Sequence, residues 1–289
     1  KHLGPGFILS ASIVGSGELI ATTQLGAKAG FVAMWVILVS CLVKVAVQLE
    51  FGKRAIMTGE TTFASFNSLP GPKLGKANWT VWTWLVLMLI KFLQVGAIVG
   101  LVSVLLNMAF PGLSDFWWLI IVVIAISSIV VSGYYKILEV LSVSMIGLFT
   151  IFTFFSLIAL QSTESAISIA NITSGLQFQI PEGAGMAIVV IGAFGLTGVG
   201  GDEIMAYNYW LIEKGYASNT GQNDGTEEWN RRAKGWIKVM YIDAIFAMIV
   251  YTLVTVAFFL LGSALLYGKG DFNVGGKAFL EDLSNLYTA

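Results

Sequence analysis

Ser12-Ile13-Val14-Gly15-Ser16-Gly17-Glu18-Leu19-Ile20 sets two glycines and a carboxylate in the middle of an apolar run at residues 7–30. A second stretch, Gly198-Val199-Gly200-Gly201-Asp202-Glu203-Ile204-Met205, does the same inside the run at 184–212. Aligned on Val14 and Val199, the two share Val-Gly-x-x-Glu followed by an apolar pair, at an offset of 185 residues. Glycine in a helix interior costs about 1 kcal/mol against alanine, and an acid at mid-membrane costs at least about 2.5 kcal/mol. Both penalties at both places point to discontinuous helices whose unwound backbone and acids line a polar cavity. That is the sequence pattern of an inverted-repeat transporter. The competing reading, glycines that only permit close helix contact, leaves Glu18, Asp202 and Glu203 without a purpose.

The rest of the chain supports a membrane setting. It is 56% hydrophobic and only 11% charged, with a mean hydropathy of +0.81, whereas soluble domains carry roughly 25% charge. A net charge of −1 with no basic stripe excludes nucleic acid as a partner. The one histidine, His2, and the one cysteine, Cys41, exclude a histidine-rich zinc centre, a catalytic triad and an internal disulfide. Seven runs reach the roughly 20 apolar residues that span a bilayer: 7–30, 32–55, 79–109, 115–133, 137–161, 184–212 and 236–267. Pro5, Pro70, Pro72, Pro111 and Pro181 fall at their edges or outside them, where proline ends helices rather than kinking them.

With the N-terminus in the cytoplasm, eleven Lys and Arg fall in the inner loops, against Lys28, Lys269 and Lys277 outside. That imbalance sets the expected orientation. Residues 1–161 read as a first five-helix repeat and 162–183, without Lys or Arg, as an extracellular loop. Residues 184–289 read as the start of a second, inverted repeat. The polar stretch 213–235 reads as a mobile cytoplasmic loop. The chain begins with Lys rather than Met, and Ala278-Phe279-Leu280-Glu281-Asp282-Leu283 reads as the amphipathic approach to an eighth helix. A fragment of about seven helices is therefore expected.

Carboxylates and unwound carbonyls are hard oxygen donors, so the cavity should bind a cation. Met205 lies three residues beyond Asp202, close enough on a resumed helix to face the same space. A thioether there would favour Mn(II), Fe(II) or softer ions over Mg²⁺ and Ca²⁺, although most methionines in such chains only pack. Lys44 and Lys91 lie well inside their runs, too deep to snorkel. Each must pair or face water, and either can neutralise a cavity acid.

Several stretches resemble the NRAMP family of divalent-metal transporters: Gly4-Pro5-Gly6-Phe7 through Gly30-Phe31, and Leu49 to Glu60 with Thr58-Gly59-Glu60. Tyr135-x-x-x-Glu139 and Met205-x-x-Asn208-x-x-Leu211 extend the resemblance over essentially the whole chain. The family's first-helix signature, Asp-Pro-Gly-Asn, falls on Gly15-Ser16-Gly17-Glu18, so a glycine replaces the aspartate ligand and Glu18 takes the asparagine position. The sixth-helix signature, Ala-x-x-Met-Pro-His, falls on Asp202 to Tyr207. Met205 keeps the methionine ligand, Asp202 takes the place of a carbonyl ligand, and Tyr207 replaces the histidine tied to proton handling. The nearest equivalents of the family's acidic pair in helix 3 are Lys91 and Gln94, which with Tyr207 argue against ordinary proton coupling.

The resemblance implies an all-α polytopic membrane carrier with an inverted-repeat fold and discontinuous helices 1 and 6, working by alternating access. The expected substrate site is Glu18, Asp202 and Met205, with carbonyls near Gly15 and Gly201. Glu203, Tyr207, Lys91 and Gln94 are expected in gating or coupling. No cofactor is expected, the metal ion (Mn, Fe or Mg) being the substrate. Lipid is the one macroscopic partner, no protein partner is expected, and the expected location is the plasma membrane. Two alternatives remain: a same-fold carrier of amino acids or other organic solutes, and, remotely, an intramembrane aspartyl protease using Asp202 and Asp243.

Overall fold

The computed structural model describes residues 4–132, 135–183 and 185–268, and all seven apolar runs are helical. The first is broken into α1 (Pro5–Ile13) and α2 (Ser16–Ala29), with Pro5 at the first helical position of α1. A 3₁₀ turn (Gly30–Ala33) leads to α3 (Met34–Thr58), which ends at Gly59 in the left-handed region, φ 68°. A short α4 (Thr62–Asn67) and a two-residue hairpin, β1 (Lys73–Leu74) with β2 (Ala77–Asn78), precede α5 (Trp79–Ala109). Then come α6 (Asp115–Val131), α7 (Tyr135–Leu160) and the short α8 (Ile169–Ser174). The sixth run is broken into α9 (Met186–Leu196) and α10 (Gly201–Glu213), followed by α11 (Tyr216–Thr220) and the long α12 (Glu227–Leu265). Among the described residues, four stretches are long and apolar enough to cross a membrane: Glu18–Thr58, Trp79–Ala109, Met186–Glu213 and Glu227–Leu265. The 278–283 segment lies outside the described residues, as do the side chains of Tyr135 and Glu139.

The main core joins α1, α2, α3, α9, α10 and α12 around fully buried Leu9, Leu25, Ile37, Tyr207, Leu211, Tyr251 and Phe258. In contrast, α5 packs on α6 and leaves Leu89, Ile90, Phe92 and Leu93 more than half exposed. Such apolar faces suit contact with lipid, where no water has to be excluded from them.

Two details of packing were not expected. The 213–235 segment is folded rather than a mobile loop. Tyr216 and Trp229 are buried, the Trp229 indole donates to the Gly221 carbonyl at 2.9 Å, and Arg232 Nε donates to the Thr220 carbonyl at 3.2 Å. Two aromatic anchors among polar residues outweigh the local hydrophilicity. The start of α12 is capped by Thr226, whose hydroxyl oxygen accepts from Trp229 N–H at 3.1 Å. Hydrogen bonds from the Thr226 hydroxyl and N–H hold the exposed Asp224 carboxyl below its usual range.

The second detail is Asp243, which the sequence places near a helix end, facing water or a lysine. It does not face water: it is fully buried, within reach of the Lys214 charge, and its two oxygens accept from the backbone N–H of Gly4 at 3.1 Å and of Gly6 at 2.6 Å. An α-helix begins with four N–H groups that have no partner within the helix, and α12 supplies an acceptor for the start of α1. A Cβ on Gly6 would lie 2.8 Å from an Asp243 carboxylate oxygen, so a side chain there is excluded. Asp243→Ala should strip the acceptor from buried donors and lower stability by about 2–4 kcal/mol. Thermal unfolding in detergent would show this as a clear drop in midpoint, and an unchanged midpoint would refute the anchor.

Candidate functional site

The two breaks share one construction. In the first, α2 resumes with Gly15 as N-cap, placing Glu18 at the third helical position. In the second, α10 resumes with Gly200 as N-cap, placing Asp202 second and Glu203 third. Gly15 and Gly201 are not packing glycines. A Cβ on Gly201 would meet nothing within 4 Å, and one on Gly15 only the Ser12 carbonyl at 3.8 Å. Gly198 differs: its φ of 76° and the Cys41 Cα at 3.3 Å from a built Cβ both exclude a side chain.

Breaking a helix inside a membrane exposes carbonyls that nothing but protein can satisfy. Here α3 satisfies them. The Ser40 hydroxyl lies 2.8 Å from the Phe194 carbonyl and 2.9 Å from that of Thr197. The Lys44 ammonium donates to the carbonyls of Gly195 at 2.8 Å and Thr197 at 2.5 Å. A cation at the C-terminal end of α9 is also favoured by the helix dipole. Lys44 thus serves the break's backbone. The sequence signal for it was the polar stripe Ser40, Lys44 and Gln48, at intervals of four along an otherwise apolar helix.

Glu18 ties the breaks together. It is 3% exposed, and its Oε1 accepts from Gly198 N–H at 2.5 Å, across 180 residues of sequence. Its Oε2 is buried, near Thr255, with no hydrogen bond among the described residues. The Thr22 hydroxyl, one turn on, donates to the Glu18 carbonyl at 2.7 Å.

Asp202 and Met205 line a cavity of about 610 Å³ between α3, α4, α5 and α10, together with Gly201, Lys91 and Gln94. Phe51, Phe66, Trp79 and Trp84 form its apolar walls. At the polar end, the Lys91 ammonium lies 2.6 Å from Asp202 Oδ2 and 3.9 Å from Glu203 Oε1. Glu203 also folds back against its own N-cap, Gly200. Of the residues singled out from the sequence, the cavity therefore gathers Asp202, Met205, Gly201, Lys91 and Gln94, with Glu203 at its edge. Glu18, Gly15 and Tyr207 are not in its lining. Tyr207 is fully buried in the core. Among the described residues no three His, Cys, Asp or Glu converge as a metal cluster. Asp202 and Asp243 are each engaged elsewhere, and no protease dyad forms from them.

Broken apolar helices with acids at both resumptions, and a cavity at one of them, define an integral membrane protein of the carrier type. The family model for natural resistance-associated macrophage protein-like proteins matches residues 6–286, and the chain belongs to that family. Its members are divalent-metal transporters rather than enzymes. A search of curated proteins finds no match to this chain.

Proposed function

We propose that the chain carries divalent metal ions across the membrane by alternating access, Mn(II) or Fe(II) in preference to Mg²⁺. The observation that carries this reading is that Asp202, Met205 and Gln94 line one cavity, where α10 resumes and with Glu203 at its edge. Two carboxylates supply charge and hard oxygens, the thioether biases the set toward softer ions, and a carbonyl near Gly201 adds to it, with those near Gly15 joining as the breaks close together. Glu18, with one free oxygen on the Gly198 contact, joins the ion as the two breaks move against one another. The N-terminus lies in the cytoplasm, and the membrane is the plasma membrane.

The test is calorimetric titration of the purified chain with Mn²⁺ and Mg²⁺, beside Met205→Leu. Loss of the thioether should weaken Mn²⁺ about tenfold, about 1.4 kcal/mol, and leave Mg²⁺ nearly unchanged. Equal losses for both ions would remove Met205 from the site. A second reading, a carrier of small organic solutes, is favoured by the aromatic walls and by a volume larger than a bare ion fills. Saturable binding of amino acids that divalent cations do not compete away, with no binding of either metal, would put it first.

A further inference from the structure

Lys91 stands where a substrate cation would stand. Its ammonium is 2.6 Å from Asp202 Oδ2 and 3.9 Å from Glu203 Oε1, and it lines the same cavity as Asp202, Met205 and Gln94. It reaches that position from α5, a helix that packs mainly on α6, α4 and β2. The ion pair is therefore a polar tie from α5 to α10, two helices with little direct packing between them.

We propose that Lys91 is a tethered counter-cation, which holds Asp202 and Glu203 while the carrier is empty and is displaced when a divalent ion binds. This rests on the divalent-metal reading above. With the ammonium in place, the two carboxylates leave a net charge of −1, and a divalent ion added beside it would make the group +1. With the ammonium withdrawn to the open side of the cavity, where its side chain is already 28% exposed, two carboxylates and a divalent ion balance. In a membrane interior, where unpaired charge is costly, the balanced arrangement is preferred, so metal and ammonium exclude one another. The lysine then sets the affinity of the site, because every bound ion must first break the Lys91–Asp202 contact. Displacement also unties α5 from α10, which couples occupancy to the position of α5.

The experiment is Mn²⁺ titration of the wild-type chain, Lys91→Met and Lys91→Arg. Lys91→Met keeps the length and the apolar stem and removes the competitor, so it should bind Mn²⁺ at least about tenfold more tightly. Lys91→Arg keeps the charge and should show no such gain. Equal or weaker binding by a folded Lys91→Met, with the wild type binding Mn²⁺, would make Lys91 a structural tie and overturn the proposal alone. Absence of Mn²⁺ binding from every form would overturn the metal reading and this one with it. A second measurement needs no variant: labelling of Lys91 by a small amine-reactive reagent, followed by mass spectrometry on the wild type. Saturating Mn²⁺ should raise it severalfold relative to Lys44, which remains on its carbonyls. Unchanged or reduced labelling despite bound Mn²⁺ would overturn displacement.

Discussion

Asp202→Asn should lower the affinity for Mn²⁺ by at least about a hundredfold, about 2.8 kcal/mol at about 1.4 kcal/mol per decade. The substitution keeps the size and the hydrogen-bonding oxygen and removes one of the two charges at the polar end of the cavity. Its effect has two sources that must be separated. The first is the lost attraction between a carboxylate and a divalent ion in a poorly screened site. The second is the change at the Lys91 ammonium, which keeps Glu203 at 3.9 Å as its one carboxylate and balances it, so that less negative charge remains for a divalent ion. The double variant Asp202→Asn/Lys91→Met separates them. It should be no more stable than Asp202→Asn, because Glu203 then has no cation beside it, and should bind Mn²⁺ no better than about a tenth as tightly as the wild type. Wild-type affinity in Asp202→Asn would remove this residue from the substrate site.

Gly262→Val should unfold the packing of α2 against α12. A Cβ on Gly262 would sit 2.5 Å from the Thr23 carbonyl oxygen and 2.8 Å from the Thr23 Cα. On the facing helix, a Cβ on Gly26 would lie 2.5 Å from the Phe259 carbonyl oxygen and 2.7 Å from Ser263 N. The obstacle in each case is backbone, which cannot swing aside as a side chain would, so the helices must separate. Overpacking typically costs 1–3 kcal/mol, and here the cost should reach about 3 kcal/mol or more. Gly235→Ala on the same helix is the comparison, because nothing lies within 4 Å of its Cβ. That variant should be neutral or gain up to about 1 kcal/mol from helix propensity. Thermal unfolding and monodispersity in detergent measure both, and equal midpoints for the two variants would refute the close crossing.

These glycines show why part of the site could be read from the sequence. Glycines at a helix crossing and glycines at a helix break look alike in one dimension. The acids beside Gly15 and Gly201 marked the breaks, because an acid in a membrane needs a purpose that a packing contact does not provide. No acid accompanies Gly26 or Gly262, and their role follows from the approach of Thr23 and Phe259. Lys44 and Lys91 present the same problem in another form. Both were legible as cations too deep to reach water. That Lys44 serves the carbonyls of Gly195 and Thr197, while Lys91 serves Asp202, depends on which helix each one faces.

The sequence by itself determined the membrane class, the seven helical runs, the two breaks and the acids at their resumption. These are local matters: bilayer thickness demands runs of a given length, and the cost of glycine and charge within them is paid residue by residue. Only the tertiary structure decided the partners: Glu18 with Gly198, Asp243 with Gly4 and Gly6, Lys91 with Asp202, and Tyr216 and Trp229 turning a polar segment into packed structure. Each joins residues distant in sequence or buries a side chain whose neighbours are polar. A hydrogen bond or ion pair depends on distance in space, and that distance is set by how the helices pack.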